Sequence, residues 1–135
     1  MSNKLHSKQK DKISTEMYLK TIFLLNEKKN DVKPVDLVNE LGLVKGSVSE
    51  MIKKLSDQGL INYESYGSIT LTKKGLTKAK NVVRKYLTVK RFLRDVIKTS
   101  PDKIHDEACN LEHAFSDESI AKLNVLNKLM EQNSK

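Results

Sequence analysis

Between Asp102 and Phe115 the chain reads Asp-Lys-Ile-His-Asp-Glu-Ala-Cys-Asn-Leu-Glu-His-Ala-Phe, which holds the sole cysteine and two of the three histidines. On a helix, His105, Cys109, Glu112 and His113 stand at i, i+4, i+7 and i+8 and share one face. Imidazole, thiol and carboxylate on one stripe can ligate a divalent transition metal. Ile104, Ala108 and Leu111 fall on an adjoining face suited to a core. The spacing matches none of the common zinc patterns. The plain alternative is a buried cysteine acting as a small hydrophobe, beside a solvated Glu-His pair. A helix face alone rarely closes a metal site, so a further ligand has to come from elsewhere. Catalysis by Cys109 with His113 lacks an orienting third group, and there is no Gly-rich phosphate loop. An enzyme, or a small organic substrate, is therefore not expected.

The rest of the chain must position that stretch and explain its charge. With 135 residues there is room for one compact domain or two small ones sharing a helix. A formal net charge of +8 favours a polyanionic partner, nucleic acid before an anionic membrane surface. No apolar run approaches the roughly 20 residues that span a bilayer. The N-terminus lacks the apolar core of a signal peptide. A single cysteine excludes an internal disulfide and fits a reducing compartment. The expected location is the cytoplasm. Absent tryptophan and 5% aromatics argue against stacking on single strands and leave double-stranded DNA as the expected nucleic acid.

In chain order, residues 1–12 carry Lys4, Lys8, Lys10 and Lys12 against Asp11 and read as a disordered basic arm, either solubilising or DNA-contacting. Ser14 or Thr15 can cap a helix to about Lys28 with Tyr18, Leu19, Ile22, Phe23 and Leu25 at helical spacing. Pro34 suits the first turn of a second helix, to Leu41, which Gly42 ends. A link from Gly42 to Gly46 precedes a third helix, about Ser47 to Gln58, with Val48, Met51, Ile52 and Leu55 inside. Two short helices around a tight Gly-containing turn form a helix-turn-helix candidate. Leu60–Ser65 and Ser68–Thr72 alternate as a hairpin turning at Tyr66-Gly67, and a hairpin directly after a helix-turn-helix is a wing. A long helix with an apolar stripe (Leu76, Ala79, Val83, Leu87, Phe92, Val96, Ile97) can then run to about Lys98, until Ser100-Pro101 breaks it. Ser116 caps a last helix, Asp117 to Glu131. The expected fold is mainly α: a winged helix-turn-helix domain of three helices plus a β-hairpin in residues 1–73, joined by a long helix to a small helical domain in 74–135. The apolar faces of the last two helices are too large for a small monomer to leave wet, which predicts a homodimer.

Thr15-Glu16-Met17-Tyr18-Leu19, Val48-Ser49, Gly59-Leu60, Leu71-Thr72 and Gly75 mark a resemblance to a known family. So, above all, do His105-Asp106-Glu107-Ala108-Cys109 with Glu112-His113 and Ser116-Asp117-Glu118. Over Ile13 to Leu129 these resemble the diphtheria toxin repressor family of metal-dependent transcriptional regulators. The resemblance implies a homodimer that Fe(II) or Mn(II) switches to tight binding of a palindromic operator. It also implies a primary metal site made of Met17 on the first helix with Cys109, Glu112 and His113. The family's second site uses a histidine and a glutamate on the long helix; Tyr86 and Lys90 stand there in this chain, and only His105 of that set remains. One metal per chain is expected rather than two. Many relatives carry a C-terminal barrel domain. The shorter manganese-type members lack it, and they carry aspartate and glutamate where Met17 and Cys109 stand.

Thioether and thiolate donors suit softer or borderline cations, and carboxylates suit manganese, so this ligand set favours Fe(II), with Mn(II) as the alternative. DNA recognition falls on Lys45, Gly46, Ser47, Ser49 and Glu50, at the helix start that faces base edges in helix-turn-helix proteins. Glu50 can accept from a cytosine amino group, or be a solvated residue. Lys53, Lys54, Lys73 and Lys74 are expected on phosphates. A metal-independent winged-helix regulator answering to another ligand is the alternative.

Overall fold

The computed structural model describes residues 2–64 and 67–133, with side chains from Ser14 onward. Residues up to Lys80 form one compact unit and those from Asn81 a second, with the division falling inside a helix. The architecture is mainly helical with a single two-stranded hairpin.

In the first unit, α1 spans Ser2–Lys28, α2 Pro34–Leu41 and α3 Lys45–Asp57. α1 begins earlier than the expected Ser14 or Thr15 cap, so the backbone of the expected disordered arm is helical. No glycine or proline interrupts Ser2–Lys28, and lysine, glutamine and leucine propagate a helix well. The arm's lysine side chains lie outside the described residues. α2 ends on Gly42 at φ 64°, a left-handed conformation that glycine takes without a Cβ penalty. The link to α3 is shorter than expected. Val44 is extended and accepts the Val48 N–H at 3.2 Å, so Lys45 and Gly46 already lie in the first turn of α3.

The wing consists of β1 (Ile61–Tyr63) and β2 (Ile69–Leu71), antiparallel, with Ile61 opposite Leu71 and Tyr63 opposite Ile69. Each strand is shorter than the alternating pattern suggested. Ser65, expected in the first strand, and Tyr66, expected in the turn, lie outside the described residues. A hairpin this short needs outside support. Ile69 N–H donates to the Val32 carbonyl at 2.7 Å, and Ile61 and Ile69 sink into a core with Leu19, Ile22, Leu37, Val48, Ile52, Leu55 and Leu60. Thr72 locks the exit: its hydroxyl donates to the Gly59 carbonyl at 2.7 Å and accepts the Gly75 N–H at 3.1 Å, while its own N–H reaches the Leu60 carbonyl at 3.1 Å. That capping starts α4, Lys73–Phe92.

In the second unit α4 does not run on regularly to Lys98. Leu93–Ile97 forms a π turn that closes on Lys98, a non-glycine residue at φ 64°, and the Lys98 and Thr99 N–H groups both donate to the Leu93 carbonyl. No proline or glycine within the turn announces this in the sequence, and it places Leu93 in the second core. Pro101 then opens α5 (Pro101–Leu111), and Ser116, whose hydroxyl accepts the Ser119 N–H at 3.1 Å, opens α6 (Asp117–Asn133). The core holds Val89, Leu93, Ile104, Ala108 and Ile120. Leu87 and Ile97, expected inside, are each 55% exposed. α6 is tied to α4 by Asn127, which donates to the Thr88 carbonyl at 3.1 Å, and by the Arg91–Glu131 ion pair. Among the described residues no helix is long and apolar enough to cross a membrane.

Candidate metal centre and DNA-binding face

α5 turns Ile104 and Ala108 into the second core, and this orientation leaves His105 exposed and Cys109 half-buried. The regular helix stops at Leu111. Glu112 N–H still reaches the Ala108 carbonyl, but the N–H groups of Ala114 and Phe115 both fall back on the Leu111 carbonyl. The tightened turn carries Glu112 and His113 inward, to 0% and 8% exposure. Two contacts link neighbours along the expected stripe. In one, His105 Nε2 lies 3.7 Å from Cys109 Sγ; in the other, His113 Nε2 lies 3.1 Å from Glu112 Oε1. Among the described residues, no three His, Cys, Asp or Glu side chains converge as a metal-holding group. Met17 belongs to the other compact unit, half-buried on α1, with its carbonyl accepting the Thr21 hydroxyl at 2.7 Å.

The donor types nevertheless fit a cation. Among the described residues Glu112 is the one buried carboxylate, and a buried carboxylate is stable only when paired or ligating. An imidazole beside it and a thiol one turn earlier make a borderline donor set.

Two residues that the sequence reading did not single out as structural hold this corner. Lys85 on α4 is 6% exposed; its ammonium donates to the Phe115 carbonyl at 3.2 Å and meets Asp117 Oδ1 at 3.1 Å, fastening the turn just after His113. The Lys85 and Asn81 hydrogen bonds hold the Asp117 carboxyl below its ordinary range. Lys85 carries no sequence signal of this role, because it sits in a run of surface-type lysines. Tyr86, placed at the incomplete second site, bonds His105 Nδ1 through its hydroxyl at 2.7 Å, and Lys90 Nζ stands 5.8 Å from its ring centroid. Burial raises the Tyr86 phenol's pKa, and the neighbouring Cys109 and Glu112 charges add to the rise.

The residues expected to contact DNA all lie in the first unit. Val48, Ile52 and Leu55 bury one side of α3, which leaves Lys45, Gly46, Ser47, Ser49, Glu50 and Lys53 exposed on the other and Lys54 half-buried. Lys73 and Lys74 are exposed at the start of α4, where Lys74 Nζ reaches the Gln58 carbonyl at 3.4 Å. Leu43 and Val44, apolar yet 41% and 70% exposed, stand at the same tip; their apolar character drew the sequence reading away from them.

Known proteins share both halves. The iron dependent repressor N-terminal DNA binding domain matches residues 12–69, and the iron dependent repressor metal binding and dimerisation domain matches residues 72–134. An uncharacterized HTH-type transcriptional regulator of Methanocaldococcus jannaschii is 39% identical over 113 residues, covering 83% of this chain and 90% of that protein. The diphtheria toxin repressor of Corynebacterium diphtheriae is 36% identical over 110 residues, 82% of this chain and 49% of its own length. A solved manganese-dependent transcriptional repressor in complex with manganese superposes with a TM-score of 0.79 at 33% identity, covering 84% of this chain and 52% of that one. The chain spans about half the length of these last two proteins. With exposed α3, wing, and the buried Glu112–His113 turn in one polypeptide, the chain belongs to the iron-dependent repressor family, metal-dependent DNA-binding transcriptional regulators and not enzymes.

Proposed function

We propose that this chain is a cytoplasmic, homodimeric repressor of metal-homeostasis genes that grips a palindromic duplex operator when loaded with Fe(II), with Mn(II) as the weaker alternative. The observation that carries the reading is the buried Glu112–His113 pair one turn from Cys109, in a chain whose α3 offers an exposed polar and basic face. Cys109, Glu112 and His113 would hold the metal, and Met17 would complete the set. Bound there, the cation supplies a link whose differential affinity favours one arrangement of the chain, typically by about 1–3 kcal/mol. Everything else falls to the protein. Lys85 fixes the turn that presents Glu112 and His113. Ser47, Ser49 and Glu50 offer donors and an acceptor to base edges, and Val44 an apolar contact suited to a thymine methyl. Lys45, Lys53, Lys54, Lys73 and Lys74 neutralise phosphates. Two sulfur donors support Fe(II) over Mn(II).

For the dimer, α6 offers Val125, Leu126, Leu129 and Met130, between 39% and 58% exposed, an apolar face suited to a second copy. The metal-independent reading has one observation in its favour, the lack of a three-ligand cluster among the described residues. Anaerobic binding to duplex from the chain's own upstream region, with Fe(II), Mn(II), Zn(II) or no metal, separates the two. The proposal expects Fe(II) to tighten binding. Equal affinity in all four conditions establishes the metal-independent alternative.

A further inference from the structure

His105 lies between two partners, with the Tyr86 hydroxyl 2.7 Å from Nδ1 and Cys109 Sγ 3.7 Å from Nε2. The Tyr86 and His105 rings meet edge to face, centroids 5.7 Å apart and planes at 78°, so the imidazole plane is set by the phenol. A neutral imidazole carries one N–H and one lone pair. A phenol at neutral pH has a proton to give, and Cys109, once it ligates a metal as a thiolate, has none. One arrangement then satisfies all three: the Tyr86 O–H donates to Nδ1, and the Nε2–H donates to Cys109 sulfur. Both ring nitrogens are thereby committed, which leaves neither for a cation. Lys90, whose ammonium stands 5.8 Å from the Tyr86 ring centroid, adds a positive charge that opposes a second ion there.

We propose that Tyr86 and His105 form a hydrogen-bond relay that orients and tunes Cys109 as a metal-binding thiolate, so that His105 is a positioning residue and each chain takes one ion. The inference rests on Cys109 being a ligand, as proposed above. A donor to sulfur holds the Cys109 side chain in one orientation and stabilises the sulfur lone pairs. It takes the outer-shell role that carboxylates and carbonyls commonly take toward metal-bound histidines. Residues of this kind change affinity and electronic structure without changing the number of ions bound.

The test uses Co(II) as the probe on the full chain, anaerobically, reading stoichiometry, affinity and the sulfur-to-cobalt charge-transfer band. Wild-type protein is expected to take one Co(II) per chain with a charge-transfer band that Cys109→Ser removes. Tyr86→Phe and His105→Ala are expected to keep one Co(II) per chain, to move the band to lower energy, and to weaken binding about 10- to 100-fold. Nitrogen-15 NMR of the wild-type protein loaded with diamagnetic Zn(II) provides a readout that needs no variant: His105 should carry its proton on Nε2. Protonation on Nδ1 overturns the relay, as does a band that stays put in both variants. Two Co(II) per chain falling to one in His105→Ala, with the band unchanged, makes His105 a ligand and overturns the relay while leaving the Cys109 site standing. A wild-type spectrum without a sulfur-to-cobalt band removes Cys109 from the site and overturns the metal reading and the relay together.

Discussion

Lys85 shows how much one side chain can decide without announcing itself. In sequence it is one of several lysines between Lys73 and Lys90; in the structure its ammonium is buried and spans Phe115 and Asp117. Lys85→Ala should lower stability by about 1–3 kcal/mol, since it strands the Phe115 carbonyl, and should weaken metal binding by loosening the Glu112–His113 turn. Lys85→Met should recover much of the stability, because an unbranched apolar side chain can occupy the buried path of the lysine stem, but not the metal affinity. Thermal melts and metal titrations of both variants check this; full metal affinity in Lys85→Met would show that the tether does not position the ligands. The Asp117 partner adds a pH signature. Its folded pKa is lowered, so its contribution is present above about pH 4, the unfolded carboxylate range, and is lost as pH falls further. Asp117→Asn should therefore flatten the acid limb of the stability profile. The candidate donor types were legible, because histidine, cysteine and glutamate at helical spacing are a chemical pattern. That Glu112 and His113 are buried while His105 is exposed was not, because it depends on where α5 tightens into a turn. At the same scale, Met17→Asp with Cys109→Glu trades two soft donors for hard ones and should shift the response from Fe(II) toward Mn(II). Operator affinity against free metal is the measurement, and an unchanged metal order would remove both residues from the site.

At the scale of elements, α4 packs closely on the backbone at Leu60, just before β1. A Cβ on Gly75 would lie 1.9 Å from the Leu60 carbonyl oxygen, which is backbone and cannot swing away. Gly75→Ala should therefore cost about 1–3 kcal/mol or more and loosen the wing that follows Leu60. A wild-type melting temperature in that variant would contradict the packing described. α3 allows a cleaner probe, because Lys53 is exposed and distant from the core. Lys53→Ala should make the log-log dependence of DNA affinity on salt shallower by about one unit without altering the preferred sequence, since a phosphate contact carries no sequence information. The order of helices and wing could be read from periodicity and breakers: Pro34, Gly42, the alternation around Ile61 and Ile69, and Ser100-Pro101. The early start of α1, the short link before Lys45 and the π turn at Leu93–Ile97 could not. Each is decided by backbone hydrogen bonding or packing that leaves no distinctive residue behind.

For the whole molecule, surface composition sets the expected behaviour. The chain carries a net charge of +8 and an α6 whose Val125, Leu126, Leu129 and Met130 lie open to solvent, a combination that suits a second copy on one face and a polyanion on another. Sedimentation should find a dimer at micromolar concentration; a monomer with and without metal would contradict the use assigned to the α6 face. The proposed function couples metal held by Cys109, Glu112 and His113 to DNA binding by α3. The most direct measurement is the affinity of wild-type and His113→Ala protein for the chain's own upstream duplex, anaerobically, with and without Fe(II). That coupling predicts that Fe(II) tightens wild-type binding about 5- to 150-fold, the usual range between two sites, and leaves His113→Ala unmoved. Wild-type affinity indifferent to metal, or a His113→Ala protein that responds like wild type, would contradict it.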